Sequence, residues 1–306
     1  MSILVVGSVA FDSITTPFGH VDEVLGGSAC YFSTSASFFT DVNLVAVVGE
    51  DFPQRHIDFL DSRGIGLEGL MRGAGRTFRW AGQYEYDLNE AHTLDTQLNV
   101  FEDFKPDLPK GYRDAEYVFL ANIDPELQLD VLSQVRNPRL VACDTMNFWI
   151  SGKRDALLKT LARVDTLVIN EAEVRQLAEE PNLVKAAAIV RGFGPQTLVV
   201  KRGEYGVLMF GEHSIFSAPA YPLEEVFDPT GAGDTFAGGF VGYLAATRNL
   251  NENNLRKAIV FGSVMASFTV EKFSLDRLRD LQYGEIEDRF HKMKLLTDFG
   301  PLDDLQ

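Results

Sequence analysis

The segment EEVFDPTGAGDTFAGGFVGYLAA, residues 224–246, decides how this chain is interpreted. Its DPT triplet (228–230) has the composition of a turn, and the GAG triplet (231–233) lets bare backbone N–H groups come close together. From Asp234 the sequence becomes apolar and predicts a helix that runs to about Ala246. Unpaired N–H groups at a helix start, together with the helix dipole, favour a bound anion.

A carboxylate beside such an anion site has the chemistry for phosphoryl transfer to an alcohol, because it can accept the hydroxyl proton. Asp234 is equally suited to cap the helix, and GAGD alone does not separate the two roles. The segment is not a dinucleotide fingerprint, since Phe236 occupies the third glycine position, and the chain contains no Walker A sequence.

Composition excludes several classes of protein. The 306 residues include 28 Lys+Arg and 44 Asp+Glu, a formal net charge of −16, and 45% are hydrophobic. A disordered chain is therefore excluded, and neither a nucleic acid nor an anionic membrane surface is expected as a partner. Any phosphate must be held by local groups that act against the field of the whole protein.

The remaining composition predicts a reduced, cytoplasmic protein. Cys30 and Cys143 each lie in an apolar run with no second cysteine nearby, which indicates buried free thiols. The N-terminal sequence MSILVVGSVAFD lacks a basic start and reads as a first strand. No apolar run is long enough to predict a transmembrane helix.

Alternation of short β-branched runs with amphipathic stretches predicts an α/β core, and continuous apolar strands indicate a parallel sheet covered on both faces. The predicted strands are Ile3–Gly7, Asn43–Val48, Tyr117–Leu120, Leu140–Cys143, Thr166–Ile169, Thr197–Val200 and Val207–Phe210. The predicted helices are Ala29–Phe39, Pro53–Ser62, Glu126–Val135, Arg154–Arg163, Glu171–Ala178 and Val184–Arg191.

Two insertions break this pattern and predict a small β lid over one end of the core. Residues 77–87 alternate aromatic and polar side chains, TQLNVF follows at 96–101, and residues 12–25 suit a second hairpin. We assign 1–11, 26–76 and 104–306 to the core and 12–25 and 77–103 to the lid; an extension of the core sheet is the alternative. The lid's predicted apolar face is Phe78, Trp80, Tyr84 and Tyr86. Beyond Gly284 we expect a helix and a charged tail.

The segment DPTGAGDTFAGGF closely resembles the C-terminal signature of the ribokinase-like (PfkB) carbohydrate kinase family. Three further sequences occur in the family's order: GGSA at 26–29 resembles its diglycine motif, NEAE at 170–173 its NxxE motif, and VKRGEYG at 200–206 the strand and turn that approach the nucleotide. The resemblance implies a ribokinase-like three-layer α/β/α core with a mostly parallel sheet and a small β-sheet lid.

The resemblance also implies a role for individual residues. Asp234 would be the general base, with Gly231, Ala232 and Gly233 supplying amides to the transferring phosphate. Asp12, Gly26, Gly27, Tyr31 and Asp234 would bind the acceptor. The ATP site would include Lys201, Gly203, Gly206, Thr230, Gly231 and Gly233, with Gly262 and Ser263 of a helix at 259–270 beside the adenine. Asn170 and Glu173 would organise Mg²⁺ through water.

Without the resemblance, several of these residues have ordinary explanations. Asp12 would be a turn residue, Glu173 a solvated residue on a helix face, and Lys201 a lysine that extends from a strand end to solvent. These alternatives stay open on the sequence alone.

The chain departs from the family pattern at two places. Tyr31 replaces the asparagine of GGxxxN, and DTMNFW at 144–149 lacks the arginine of DxNxR. A missing arginine disfavours an acidic or phosphorylated acceptor. Aromatic side chains suit a sugar face or a nucleobase, although core packing is the competing explanation for them. The aromatic candidates are Phe11, Tyr31, Phe78, Trp80 and Trp149.

We therefore predict an ATP-dependent kinase that phosphorylates a hydroxymethyl group of a small, neutral, pentose-containing acceptor, with a ribonucleoside favoured. A free sugar is the alternative, a hydroxymethylpyrimidine-like alcohol a third acceptor, and a non-catalytic ligand-binding protein the alternative of another class. GTP is not excluded as donor. An exposed lid edge makes a homodimer a further expectation.

Overall fold

The computed structural model describes residues 2–212 and 214–298. The strands are β1 (Ser2–Val6), β2 (Ala10–Thr16), β3 (Gly19–Gly26), β4 (Asp41–Val48), β5 (Ile65–Arg72), β6 (Phe78–Tyr84), β7 (Ala91–Gln97), β8 (Tyr117–Leu120), β9 (Leu140–Cys143), β10 (Thr166–Asn170), β11 (Thr197–Lys201), β12 (Val207–Phe210) and β13 (Ile215–Ala218). The helices are α1 (Ser28–Ala36), α2 (Gln54–Ser62), α3 (Pro125–Gln134), α4 (Asn147–Gly152), α5 (Arg154–Leu161), α6 (Glu171–Ala178), α7 (Leu183–Arg191), α8 (Ala232–Thr247), α9 (Glu252–Thr269), α10 (Asp276–Asp280) and α11 (Tyr283–Leu296).

A nine-stranded sheet forms the middle layer, in the order β13-β12-β11-β10-β9-β8-β1-β4-β5. The strands from β5 to β11 pair in parallel, and β12 and β13 add antiparallel at one edge. Successive side chains of β1 enter different cores: Ile3 and Val5 pack with α8 and α9, and Leu4 and Val6 join the core on the opposite face. This is the predicted α/β/α layering, and it explains why the strands are apolar throughout.

The seven strands and six helices listed above are all present, with ends that shift by up to three residues. The helix predicted from Asp234 is α8, and the helix predicted at 259–270 is α9, which begins seven residues earlier. The prediction missed β5 and β13, which form the two edges of the large sheet. In β5, Gly66 and Gly69 interrupt the β-branched pattern, and Gly69 lies where a Cβ would come within 2.6 Å of Val45 Cγ2. Close approach to β4, rather than local strand propensity, therefore determines this edge.

The second sheet has four strands in the order β3-β2-β6-β7 and contains both insertions. The hairpin expected within 12–25 is present as β2 and β3, and β6 pairs in parallel with β2. Two details of the prediction are wrong. Tyr86 lies beyond the end of β6 and is 86% exposed, and residues 99–101 form a 3₁₀ turn instead of continuing β7.

The C-terminal helix expected beyond Gly284 is present as α11, whereas the tail at 299–306 lies outside the described residues. Cys30 and Cys143 are buried and form no disulfide, as predicted. Among the residues that the structure describes, no helix is both long enough and apolar enough to cross a membrane.

The glycines of α8 allow this helix to lie close to α1. A Cβ on Gly238 would stand 2.4 Å from the carbonyl oxygen of Phe32 and 2.7 Å from Cβ of Ser35. The hydroxyl of Ser35 donates to the carbonyl of Thr235 across the same contact, at 2.7 Å. Because α8 begins at the GAGD sequence, this contact sets the position of Asp234.

We expect Gly238→Ala to lower the free energy of unfolding by about 1–3 kcal/mol, because the added methyl group must displace the backbone of α1. Urea unfolding measures the change. Gly152→Ala is the matched control: the same Cβ, at the end of α4, meets nothing within 4 Å and should change stability little. Equal effects of the two substitutions would contradict the packing argument.

Candidate active site

Three polar side chains stand at the carboxyl ends of neighbouring parallel strands. Asp144 follows β9, Asn170 ends β10 and Lys201 ends β11. Lys201 Nζ donates to Asp144 Oδ2 at 3.1 Å, and both side chains are largely buried. Carboxyl ends of adjacent parallel strands meet at one edge of the sheet, which is where ligands bind in open α/β folds.

The start of α8 lies beside this ion pair. Gly233 is so close to Lys201 that a Cβ would stand 2.8 Å from Nζ. Gly231 has φ +72° and lies on the ring of Tyr31, where a Cβ would be 2.4 Å from the ring carbons. Glycine is therefore required at position 231, by the left-handed backbone and by the contact with the ring, whereas a Cβ at position 233 would displace only the flexible end of the Lys201 side chain.

The DPT turn is held from two sides by Asp228. Its Oδ1 accepts from the N–H of Thr230 at 2.9 Å, and its Oδ2 accepts from the N–H of Ser274 at 2.9 Å. The sequence predicts three amides for a phosphate, but the N–H of Ala232 donates to the carbonyl of Pro229 at 3.2 Å. Of the three backbone N–H groups predicted to bind the phosphate, only those of Gly231 and Gly233 therefore remain.

Burial raises the pKa of Asp234 to about 7; repulsion from Asp144 adds to the rise, and Lys201 and an N–H bond partly oppose it. The pKa of Lys201 is lowered by burial, but Asp144, Glu173 and Asp234 outweigh that effect and raise it overall. The Lys201 ammonium is therefore charged at neutral pH, whereas Asp234 is about half ionised there.

Asp12 joins the site from β2. Its carboxylate is 4% exposed and accepts from the N–H of Gly27 at the start of α1. Gly26 makes room for it, because a Cβ there would lie 1.9 Å from Asp12 Oδ2. Burial raises the pKa of Asp12 to about 7, with repulsion from Asp228 and Asp234 opposed by the Gly27 bond. The structure thus brings Asp12, Gly26 and Gly27 together.

The phenol of Tyr31 lies among these acidic groups. The side chain is 1% exposed, and its hydroxyl has no hydrogen-bond partner. Burial raises the pKa of Tyr31 well above its usual value, and Asp228, Asp12, Tyr84 and Asp234 add to the rise. Tyr31 therefore stays protonated and presents a hydrogen-bond donor between the acceptor-binding and catalytic candidates.

Asn170 and Glu173 form a capping box at the start of α6. Asn170 Oδ1 accepts from the N–H of Glu173 at 2.8 Å, and Glu173 Oε2 accepts from the N–H of Asn170 at 3.0 Å. Burial, followed by repulsion from Asp144, raises the pKa of Glu173 to about 7. Glu173 is therefore not a fully solvated helix residue, and the pair has a structural role that needs no metal.

A cavity of about 550 Å³ extends from Lys201 and Gly233 to helix α9. Its apolar end includes Val207, Val226, Phe236 and Val270, which suits the flat face of a nucleobase. The predicted residues that line it are Lys201, Gly203, Gly206, Ala232, Gly233 and Ser263.

Three predicted nucleotide-site residues lie elsewhere. Gly262 packs on Phe236 of α8, Gly231 packs on Tyr31, and the hydroxyl of Thr230 donates to Tyr84 Oη at 3.2 Å. Gly262 therefore serves helix packing, and Thr230 and Gly231 lie on the side of the loop that contacts Tyr84 and Tyr31.

A match to the model of the pfkB family carbohydrate kinases covers residues 2–279. The chain belongs to this family. Cytidine kinase of Thermococcus kodakarensis is 31% identical over 258 residues, which are 82% of this chain and 91% of that protein.

Two solved structures share the ribokinase-like fold. A nucleoside kinase of Methanocaldococcus jannaschii aligns with a TM-score of 0.76 and 20% identity over 95% of this chain and 98% of that one. An Escherichia coli protein provisionally called ribokinase II, in complex with ATP and Mg²⁺, aligns with a TM-score of 0.78 and 17% identity over 95% and 99%. This pfkB family member is a sugar or nucleoside kinase.

Of the aromatic candidates other than Tyr31, two pack on other rings and two are tryptophans with different surroundings. Phe11 is buried against Phe52 and Phe78 stacks on Phe101, so both serve packing. Trp80 is opposite Asp12 in the β2–β6 register and lies on the same face. The partly buried Trp149 donates its indole N–H to Asn122 Oδ1 at 3.0 Å.

Sequence reasoning missed the contributions of Asp144 and Tyr84 to this site. At Asp144 the sequence analysis identifies only the missing arginine that should follow, although an aspartate directly after an apolar strand indicates a strand-end carboxylate. The alternation predicts Tyr84 on an apolar face, whereas its hydroxyl accepts a hydrogen bond from that of Thr230. The alternating pattern around Tyr84 does not indicate a hydrogen bond to Thr230, which lies 146 residues further along the chain.

We expect Tyr31→Phe to leave stability unchanged or slightly higher, because it removes an unpartnered buried hydroxyl. The same change should raise the KM for the acceptor by about 3- to 10-fold through loss of one hydrogen bond. Tyr117→Phe is the matched control, since Tyr117 is also fully buried with an unpartnered hydroxyl but lies near Arg139 and Glu116. Identical acceptor KM values for Tyr31→Phe and wild type would contradict the assignment.

We expect Asp234→Asn to lower kcat by about 10²- to 10⁴-fold, the usual contribution of a positioned base. In the wild type, kcat/KM should rise with pH through about 7, because only the ionised carboxylate accepts a proton.

Thermal unfolding provides a second measurement of the same group. A carboxyl whose pKa is raised by folding stabilises the protein below its unfolded pKa and loses that contribution as pH rises through about 7. Asp234→Asn should therefore unfold at a higher temperature than wild type at pH 8, with a smaller difference at pH 5. A kcat of Asp234→Asn within tenfold of that of the wild type would disprove the assignment of Asp234 as the base.

Proposed function

We propose that the protein transfers the γ-phosphoryl group of ATP to a hydroxymethyl group of a neutral, pentose-containing acceptor, and that this acceptor is a ribonucleoside. The observation that carries the proposal is the packing of Gly231, of the GAGD loop, on the buried ring of Tyr31, beside the Lys201–Gly233 contact. Asp12 and Asp234 are both close enough to raise the pKa of that phenol. One side of the GAGD loop then faces the acceptor and the other faces the phosphates.

Asp234 acts as the general base. The acceptor hydroxyl has a far higher pKa, so the proton does not leave before the reaction begins. In a loose transition state the hydroxyl becomes acidic as its oxygen bonds to the phosphoryl group, and Asp234 accepts the proton at that stage. A pKa near 7 makes this carboxylate a stronger base than an ordinary aspartate and leaves it ionised above neutrality.

Lys201 and the amides of Gly231 and Gly233 hold the migrating phosphoryl group. The Lys201 ammonium is already positioned next to Gly233, and Asp144 orients it through their 3.1 Å contact. Charge that develops on the phosphoryl oxygens is therefore met by groups that need little reorganisation.

The negative charge of the site suits Mg²⁺, but its side chains are not arranged to ligate the ion directly. Lys201 bonds to Asp144, and Glu173 and Asp234 are close enough to raise the pKa of its ammonium. Burial first, and repulsion from Asp144 second, raise the pKa values of Glu173 and Asp234 to about 7. Within residues 2–212 and 214–298, no group of three or more His, Cys, Asp or Glu side chains is placed to hold a metal ion. We propose that Glu173 and Asn170 hold Mg²⁺ through water, which neutralises the donor phosphates.

The residues proposed to bind the acceptor favour a neutral molecule that carries a nucleobase. Asp12, Asp228 and Asp234 are all close enough to raise the pKa of Tyr31, and this excess of carboxylates disfavours an acceptor that already carries phosphate. Trp80, on the face of β6 that Asp12 shares, offers a ring on which a base can stack. The 31% identity to a protein named cytidine kinase supports the same choice.

We also propose that the small sheet is a lid over the acceptor, with 12–25 and 77–103 as its segments. Closure would exclude water and so limit ATP hydrolysis. A homodimer through this sheet stays a prediction; every residue of its edge strand β7 is exposed, which leaves that edge accessible.

We expect a panel of acceptors with ATP and Mg²⁺ to show the highest kcat/KM for a ribonucleoside. Cytidine, uridine, adenosine and inosine are compared with ribose and fructose, and ADP release is measured. The 5′-deoxy form of the best nucleoside is the matched control, because it lacks only the proposed phosphate acceptor. Turnover of sugars alone would reject the nucleoside, and equal ADP release with the 5′-deoxy control would reject transfer to the hydroxymethyl group.

A further inference from the structure

The turn between β6 and β7 is part of the donor cavity, although its strands belong to the small sheet. Tyr86, Asp87, Leu88 and Asn89 line the cavity together with residues 201–204. Asn89 crosses to the opposite wall, where a Cβ on Gly203 would lie 2.1 Å from Asn89 Oδ1. The small sheet therefore reaches the donor side of the site as well as the acceptor side.

The conformation of this turn is defined by its own hydrogen bonds. Asn89 Nδ2 donates to the carbonyl of Asp87 at 2.8 Å, and Asp87 Oδ1 accepts from the N–H of Asn89 at 3.3 Å. The carboxylate of Asp87 is therefore directed into the turn. Neutral groups, the Asn89 amide and the Tyr86 phenol, remain to meet a ligand.

The exposure of Tyr86 at the border of the cavity also points to a ligand. Its side chain is 86% exposed at the border of a cavity, which is unusual for a large aromatic residue. Because Tyr86 lines the cavity, its ring gains contact area when the cavity is filled.

The same hairpin touches the acceptor side two residues earlier. Tyr84 is buried, and its Oη accepts from the hydroxyl of Thr230 at 3.2 Å, next to the GAGD loop. Its pKa is raised by burial, with Asp228, Asp12 and Asp234 adding to the rise, so it lies among the acceptor-side carboxylates. One short segment therefore has a contact in each half of the site.

We propose that residues 85–90 bind the sugar–phosphate part of the donor nucleotide through Tyr86 and Asn89, and that the hairpin couples donor binding to acceptor binding. The placement beside Gly203 and Lys201, rather than at the apolar end near α9, is the reason for choosing this part of the donor. Because one segment contacts both halves of the site, a shift of the turn on donor binding also changes the position of Tyr84 beside Thr230, and the coupling is reciprocal. This inference rests on the proposed kinase function.

The test measures binding of a non-hydrolysable ATP analogue with Mg²⁺ by calorimetry, using the full chain and without any turnover. Tyr86→Ala and Asn89→Ala should each raise its dissociation constant about 3- to 10-fold, the effect of one lost hydrogen bond or ring contact. Tyr205→Ala is the matched control for the ring: Tyr205 is 67% exposed on the neighbouring 3₁₀ turn but does not line the cavity. Leu94→Ala controls for changes elsewhere in the hairpin, since Leu94 is 63% exposed on β7.

The coupling is measured by titrating the best acceptor of the panel with and without the ATP analogue. The wild type should bind this acceptor at least about fivefold more tightly when the analogue is present. In Tyr86→Ala and Asn89→Ala this factor should fall towards one, whereas both controls retain it. A role limited to folding would lower the melting temperature without changing the ratio.

The outcomes separate this inference from the proposed function. Unchanged analogue affinity in both hairpin variants overturns the donor contact, and an unchanged coupling factor overturns the link to the acceptor; neither result affects the assignment as a kinase. Absence of ATP-dependent phosphorylation by the wild type with every acceptor overturns the proposed function, and the analogue affinities still decide whether the turn contacts a nucleotide.

Discussion

The site depends on one buried ammonium group among several carboxylates. Lys201 bonds to Asp144, and Glu173 and Asp234 are close enough to raise its pKa. Burial raises the pKa values of Glu173 and Asp234 to about 7, and repulsion from Asp144, which shares the same cation, adds to the rise. The pocket is therefore short of positive charge until a cation accompanies its ligand.

This arrangement explains how a protein of net charge −16 can handle a nucleotide. The excess of acidic over basic residues predicts no basic patch, and in the proposed function one lysine and the amides at a helix start bind the phosphates. Loss of one amide to the Pro229 carbonyl makes the close contact of Gly233 and Lys201 more important. The global acidity is thus compatible with the chemistry because the field at the site is local.

The core strands could be predicted because their apolar runs are continuous, and the small sheet because its side chains alternate. The edge strands β5 and β13 could not, since pairing with β4 and β12 rather than local composition makes them strands. Asp12, Gly26, Gly27, Lys201 and Asp234 were all chosen from sequence, by resemblance to a family. Asp144 and Tyr84 were missed because their partners lie 57 and 146 residues away.

The sequence alone determined the fold class and the candidate catalytic group, because both depend on local patterns: the period of apolar residues and a glycine-rich turn before a helix. Only the tertiary structure decided which groups share one electrostatic environment. It placed Tyr31 under Gly231 with an unpartnered hydroxyl, and it brought Asn89 of the small sheet to Gly203. Such contacts depend on how distant segments pack, and burial changes a side chain's pKa only after that packing exists.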